Sequence, residues 1–278
     1  MPDVVPEGVR GAYGLRVGGL SAASHLLPRA DPAWPLVEVT VMGNARKAPP
    51  SEDEDTRVLY MPEGGYVVLE RRGAVTFHPD SSIPEEEIVH PLLGPIGAIF
   101  AQWMGREPLH AAAFIHGGAA WGLVGPSLSG KSTLLAHLHA EGYPILTDDL
   151  VVVEDRTVFA GPLCLDLRSS PPEIESGIPA RRGTRQRIVF DESVPDAGLG
   201  GFFYLRWGST LKAEPVPPPE RIRYLADNRR SNWAPLDPGA LVHLARFPAW
   251  VVSRPEDGLA AESLALILDV IARQPRGL

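Results

Sequence analysis

Apolar and polar positions along the chain change period in a way that separates two regions. After Pro35, segment 37–41 alternates apolar and polar residues as a half-buried strand does, and 57–61, 66–70 and 74–78 read as three more strands. A short strand is also expected near 14–17. Glu63-Gly64-Gly65 and Arg71-Arg72-Gly73 supply turn chemistry, so this part reads as a small antiparallel β unit, with the acidic, proline-bearing stretch 48–55 as a mobile loop. The period then becomes helical. Ile96, Ile99, Phe100, Trp103 and Met104 fall at i, i+3, i+4, i+7 and i+8, with Pro95 in the first turn and Gly105 at the end.

Further on, 109–115 and 119–124 read as strands joined at His116-Gly117-Gly118, and Leu134, Leu135 and Leu138 mark a helix that Gly142 ends. A strand is expected over 143–147, followed by Asp148-Asp149 and the apolar run 150–153. Segment 169–187, rich in proline, glycine and arginine, predicts a mobile loop, and 201–205 a buried strand. Prolines in 215–220 break the chain, Asp237 caps a short helix with Pro238 in its first turn, and 250–253 reads as a strand. Leu264, Ile267, Leu268 and Ile271 stripe a C-terminal helix. The expected organisation is a β-rich unit over 1–90 and an α/β unit with a mixed sheet over 91–278.

Between the strand at 119–124 and its helix lies Gly125-Pro126-Ser127-Leu128-Ser129-Gly130-Lys131-Ser132, the spacing of a phosphate-binding P-loop, with Thr133 continuing into the helix. Glycines let the backbone approach a phosphate so that successive N–H groups face the anion. Lys131 is then placed for the outer phosphates, and the Ser132 hydroxyl for a Mg²⁺ ion bridging them. Composition adds weight to that lysine. Of 26 basic residues only Lys47, Lys131 and Lys212 are lysines, in a chain that otherwise uses arginine.

Asp148 and Asp149 close the next predicted strand, seventeen and eighteen residues past Lys131. A metal ligand plus a general base beside a phosphate loop is the equipment for moving a phosphoryl group to a hydroxyl, and a solvated turn after a strand has the same look. Arg181, Arg182, Arg185 and Arg187 suit a phosphate or carboxylate equally as they suit a solvated surface. His137 and His139, two apart on one helix, do not share a face and are no metal pair. Cys164, the only cysteine, lies between leucines and is expected in the core, which leaves neither an intramolecular disulfide nor a cysteine zinc cluster. Net charge is −8 with no dense basic run, against nucleic acid or an anionic membrane as partner. No stretch offers the ~18 apolar residues of a membrane span and the N-terminus has no leader pattern, so a cytoplasmic protein is expected.

His110, the P-loop and the aspartate pair together resemble the catalytic domain of the HPr kinase/phosphorylase family. There a histidine begins a strand fifteen residues before the first P-loop glycine, as His110 precedes Gly125, and paired aspartates follow the lysine at the spacing of Asp148 and Asp149. The resemblance covers 91–165 and, more loosely, the rest of the C-terminal part. It implies a P-loop kinase core shaped like phosphoenolpyruvate carboxykinase, using ATP and Mg²⁺, with Asp149 as base, Asp148 near the metal and His110 near the transferred phosphate. The family's later metal-binding glutamate is not recognisable here, and Asp166 is the nearest candidate. The chain is more similar to shorter stand-alone relatives, some of which modify ribosomally made peptides such as lasso-peptide precursors. The leading expectation is a kinase acting on a serine of a peptide or small protein, with self-association left open. A free-serine type of kinase and a nucleotide-binding switch or partner module are the alternatives, although no asparagine-lysine-x-aspartate motif supports a guanine switch.

Overall fold

The computed structural model of the chain describes residues 8–43, 48–168, 174, 177–181, 183–191, 194–230, 237–256 and 258–274. Strands β1 (Gly11–Ala12), β2 (Leu15–Gly18), β3 (Leu36–Val41), β4 (Thr56–Tyr60), β5 (Gly65–Glu70) and β6 (Ala74–Pro79) form one sheet in the order β1-β2-β3-β6-β5-β4. The predicted strands are present, but the sheet is mixed rather than antiparallel, because β3 runs parallel to both β2 and β6. Tight glycine turns hold β4, β5 and β6 antiparallel, whereas the long segment between β2 and β3 has room for a crossover. Val37, Val39, Val67, Leu69, Val75 and Phe77 bury the inner face.

A short turn α1 (Glu85–Glu87) and a kinked segment (Ile88–Leu92), broken at His90, lead into α2 (Leu93–Trp103). Its predicted stripe packs as expected. Ile96, Ile99 and Phe100 are buried, Trp103 and Met104 lie partly covered beside them, and the same core takes in Leu150, Val152, Phe159 and Cys164.

The central sheet follows. It is built from β7 (Glu107–Leu109), β8 (Ala111–His116), β9 (Ala119–Val124), β10 (Ile145–Thr147), β11 (Val151–Glu154) and β12 (Thr157–Phe159), with α3 (Lys131–Ala140) between β9 and β10. A small sheet of β13 (Cys164–Leu167), β14 (Ile178–Ala180) and β15 (Arg185–Val189) precedes the long β16 (Asp196–Trp207), β17 (Lys212–Pro215), α4 (Pro218–Asp227), α5 (Pro238–Leu244), β18 (Ala249–Arg254) and α6 (Ala260–Ala272). The strand expected over 109–115 is split at His110, because Leu109 pairs with β11 and Ala111 with β9. Gly117 and Gly118, at φ +60° and +81°, make the two-residue turn that twists β8 onto β9.

Strands β9, β16 and β18 run parallel and side by side. Both faces are covered, so apolar residues run continuously along them. Phe203, Leu205, Trp250 and Val252 face α3 and α6, while Phe202, Tyr204, Ala249 and Val251 join the core of α4 and α5. The prolines near 217 do more than break the chain. Pro218 occupies the first turn of α4, a position that needs no N–H. The predicted cap of α5 is made, with the Asp237 carboxylate accepting from Gly239 N at 2.8 Å and Ala240 N at 3.3 Å.

The expected loop over 169–187 needs correction. Among its described residues 178–180 and 185–187 are strand, and Arg187 is buried against Asp166, with Nε to Oδ1 at 2.8 Å and Nη2 to Oδ2 at 3.0 Å. Arg187 also donates to the carbonyls of Glu86 and His90, which ties the small sheet to the kink before α2. Burial alone would raise the Asp166 carboxyl pKa, but the Arg187 hydrogen bond and the charges of His90, Arg187 and Arg181 outweigh it and hold it below the usual value. No helix among the described residues is long and apolar enough to cross a membrane.

Removing one partner of a buried ion pair leaves an uncompensated charge, so Arg187→Ala is expected to cost about 3 kcal/mol, read as a lower urea midpoint. Because the Asp166 pKa is depressed in the fold, its contribution is complete above the unfolded value near 3.8 and is lost as pH falls below it. Asp166→Asn should therefore flatten the acid limb of the stability curve below about pH 4.

Candidate active site

Strand β9 ends at Val124, and the backbone turns sharply through 125–130 before α3 begins at Lys131. Gly130 sits at φ +79°, and a Cβ there would meet the Arg254 guanidinium at 2.2 Å, so this position takes only glycine. Lys131 is 6 % exposed and points back into the loop, donating to the carbonyls of Gly125 at 2.8 Å and Pro126 at 3.1 Å. Burial lowers its pKa, and among the described residues no carboxylate lies within ion-pair distance of it. A buried ammonium held by carbonyl dipoles, with no carboxylate in ion-pair contact, is a site for an anion.

Strand β10 delivers Asp148 and Asp149 to the same place. The Ser132 hydroxyl lies 3.1 Å from each Asp148 carboxylate oxygen, which locks the start of α3 to the end of β10. Asp148 is 2 % exposed. Burial first, then the neighbouring Asp149, pushes its pKa up to about 8. A cation would offset the cost of a fully buried carboxyl beside a second one, and a hydroxyl plus two carboxylates is the hard oxygen set that Mg²⁺ takes. These residues therefore fit the ion that the sequence pattern implies. Asp149 borders the cleft in a left-handed conformation, at φ +63°.

His110, at the break between β7 and β8, joins these groups. Its Nε2 lies 3.3 Å from Lys131 Nζ and its Nδ1 lies 3.2 Å from the Asp149 carbonyl. An ammonium only donates, so Nε2 accepts and a neutral ring carries its proton on Nδ1, toward the Asp149 carbonyl, with the donor Nη1 of Arg230 3.4 Å from the same nitrogen. Burial, and then the cations Lys131 and Arg230, lower the His110 pKa and keep the ring neutral. His110 thus fixes both the lysine and the backbone of the aspartate.

The predicted residues meet at one cleft of about 560 Å³, bordered by His110, Ser127, Leu128, Gly130, Lys131, Ser132, Thr133 and Asp149. Gly125 and Pro126 supply carbonyls to Lys131, and Ser129 is buried inside the loop. Of the four arginines, Arg181 and Arg185 border the cleft, Arg187 does not, and Arg182 lies outside the described residues. Asp166 is no free metal ligand, because Arg181 Nε at 2.9 Å and Arg187 Nε at 2.8 Å already hold its two oxygens.

Other groups carried no spacing signal. His90, buried before Pro91, brings a ring nitrogen within 4.8 Å of carboxylate oxygens of both Asp148 and Asp149, and burial lowers its pKa to about 4, which keeps it neutral. Arg168, Trp207, Arg230, Arg254 and Glu256 also border the cleft, each from a different strand end or loop. Only folding brings them together.

A carboxyl whose pKa is raised by folding binds a proton more tightly in the folded state, so stability falls as pH rises from the unfolded value toward about 8. Ligand-free Asp148→Asn escapes that loss. Its melting temperature should match the wild type near pH 4 and exceed it by a growing margin up to pH 8.

No protein-family profile matches the chain, and no curated protein matches it. Among solved structures, the HPr(Ser) kinase/phosphatase from Coxiella burnetii is similar to it, at 13 % identity and a TM-score of 0.34, covering 60 % of this chain and 97 % of that one.

Proposed function

We propose that this protein is an ATP-dependent phosphotransferase that moves the terminal phosphoryl group to a serine hydroxyl of a peptide or small protein. The observation that carries this reading is the gathering at one cleft of a buried ammonium at a glycine-rich helix start, Ser132 and the Asp149 carboxylate, with Asp148 buried and hydrogen-bonded to Ser132. Binding modules need the first of these; in this reading the Asp149 carboxylate supplies the base that transfer to a hydroxyl requires.

In this reading the N–H groups of 125–133 and Lys131 hold the phosphates, and Ser132 with Asp148 holds Mg²⁺. The ion, when bound, supplies positive charge against the charge that develops on the phosphoryl oxygens. Asp149 accepts the proton of the serine hydroxyl as that oxygen bonds to phosphorus and the bond to the leaving diphosphate breaks. His110, neutral and bonded to Lys131 and to the Asp149 backbone, keeps both in place. Arg181 and Arg185, with Arg168, border the other end of the cleft and suit an acidic side chain or terminal carboxylate on the acceptor.

Three outcomes test this. Lys131→Ala should lose measurable ATP–Mg²⁺ binding by calorimetry while remaining folded. Asp149→Asn should bind ATP with near wild-type affinity and lose transfer by about 10²-fold or more. With radiolabelled ATP, a panel of serine peptides, small proteins and free serine should show label on the peptides, with weaker apparent acceptor affinity in Arg181→Ala/Arg185→Ala. Efficient labelling of free serine alone would sink the peptide acceptor, and wild-type transfer rates in Asp149→Asn would sink the base.

A further inference from the structure

The parallel strands β9, β16 and β18 end at one rim. Register pairs Val124 with Tyr204 and Trp207 with Arg254, so the loop 125–130, the indole of Trp207 and the guanidinium of Arg254 emerge side by side. The aspartates stand on the opposite flank of β9, carried by β10 across β8. A ligand whose phosphates occupy the loop therefore has the transfer chemistry on one side of it and Trp207 on the other. In open α/β sheets the crevice at the carboxyl ends of the strands is where ligands lie.

Trp207 is 41 % exposed, although it sits in the wall of a cleft, while the Arg254 cation behind it is only 5 % exposed. The Arg254 carbon lies 4.3 Å from the ring centroid, covering one indole face, and its Nη2 donates to the Ser129 carbonyl in the loop. Arg254 Nε has no hydrogen-bond partner, and among the described residues no carboxylate pairs with this guanidinium. Burial of so polar a group is costly, and what it achieves here is to fix the indole ring relative to the phosphate loop. Leu128, itself 66 % exposed at the loop tip, Glu256 and Gly258 complete that end of the cleft. Together they offer a flat aromatic face, an apolar edge and one carboxylate acceptor.

The geometry points to a nucleobase subsite here: the base of the bound nucleotide stacks on the face of Trp207 turned away from Arg254, between Leu128 and Glu256. It rests on the nucleotide-binding reading above and adds the part of the ligand which that reading leaves unassigned. A purine suits the site best, since its two fused rings cover most of an indole face, and Glu256, which borders the same cleft, offers an acceptor for an exocyclic amino group.

The test separates base from phosphates. Calorimetry would compare ATP with inorganic tripolyphosphate, both with Mg²⁺, on the full chain as wild type, Trp207→Ala and Trp207→Phe. ATP affinity should fall about tenfold or more in Trp207→Ala, as expected for loss of one stacked base, tripolyphosphate affinity should stay within about twofold, and Trp207→Phe should keep most of the ATP affinity. In the wild type ATP should quench tryptophan fluorescence and tripolyphosphate should not, and Trp207→Phe should lose the quench. That second readout stands even if the alanine variant fails to fold. Unchanged ATP affinity in Trp207→Ala and Trp207→Phe, or an equal loss for ATP and tripolyphosphate, would overturn the subsite while leaving the phosphate site intact. A wild type that binds neither ligand would overturn the nucleotide reading itself, and the subsite with it.

Discussion

The Ser132–Asp148 contact is the constraint on which the rest of the molecule turns. A helix start and a strand end meet there around a carboxyl that is almost wholly out of water, with a second carboxylate next in sequence. Such a group is tolerated only if the surrounding core is rigid enough to over-determine its place. The core meets that condition. Ala111, Ala112 and Ala113 keep β8 thin between β9 and β10, and Leu134, Leu135 and Leu138 press α3 onto the sheet with no exposure at all. What the fold sacrifices in stability at Asp148 it recovers in a position where a cation is needed.

Charge is distributed in a way the net value hides. The chain carries −8, yet Lys131, Arg168, Arg181, Arg185, Arg230 and Arg254 all border one cleft, against Asp149, Asp166 and Glu256. A concave wall in which cations outnumber carboxylates focuses a positive field, which favours an anionic ligand at this place on an otherwise acidic protein. Asp166 sits at the hub of that wall. By binding Arg187 inside and Arg181 at the rim, it turns what composition describes as a loose basic loop into a folded sheet with two of its arginines presented to the cleft.

Backbone strain gathers at the same place. Three of the five described non-glycine residues with positive φ, namely Leu128, Asp149 and Arg181, border the cleft. Each costs of order 1–3 kcal/mol outside a structure that enforces it, and each aims a side chain at the ligand end of a turn. Strain, a raised carboxyl pKa and an ammonium without a carboxylate partner are separate penalties, and folding gathers all three around the loop and the end of β10.

The local chemistry was legible in the chain. The glycine spacing of 125–132, the two-glycine turn at 117–118, the aspartate cap before α5 and the helical stripes of α2 and α6 are short-range patterns, and periods of two and 3.6 read them without knowledge of distant partners. The aspartate pair and His110 were also marked by position, although nothing in their spacing said that His110 would break a strand and hold Lys131. What the sequence could not determine was everything set by contact across the fold. The parallel pairing of β3 follows from a crossover, and the strands at 178–189 from the attraction of Arg187 to a carboxylate twenty-one residues away. Trp207, Arg230 and Arg254 come to the cleft from three separate elements, and His90 comes to the aspartates from a fourth. A lone histidine before a proline, or an arginine ending a strand, has no local pattern, because the energy that makes it functional is tertiary: burial against a charge, or a ring held by a cation, that exists only once the sheet has closed.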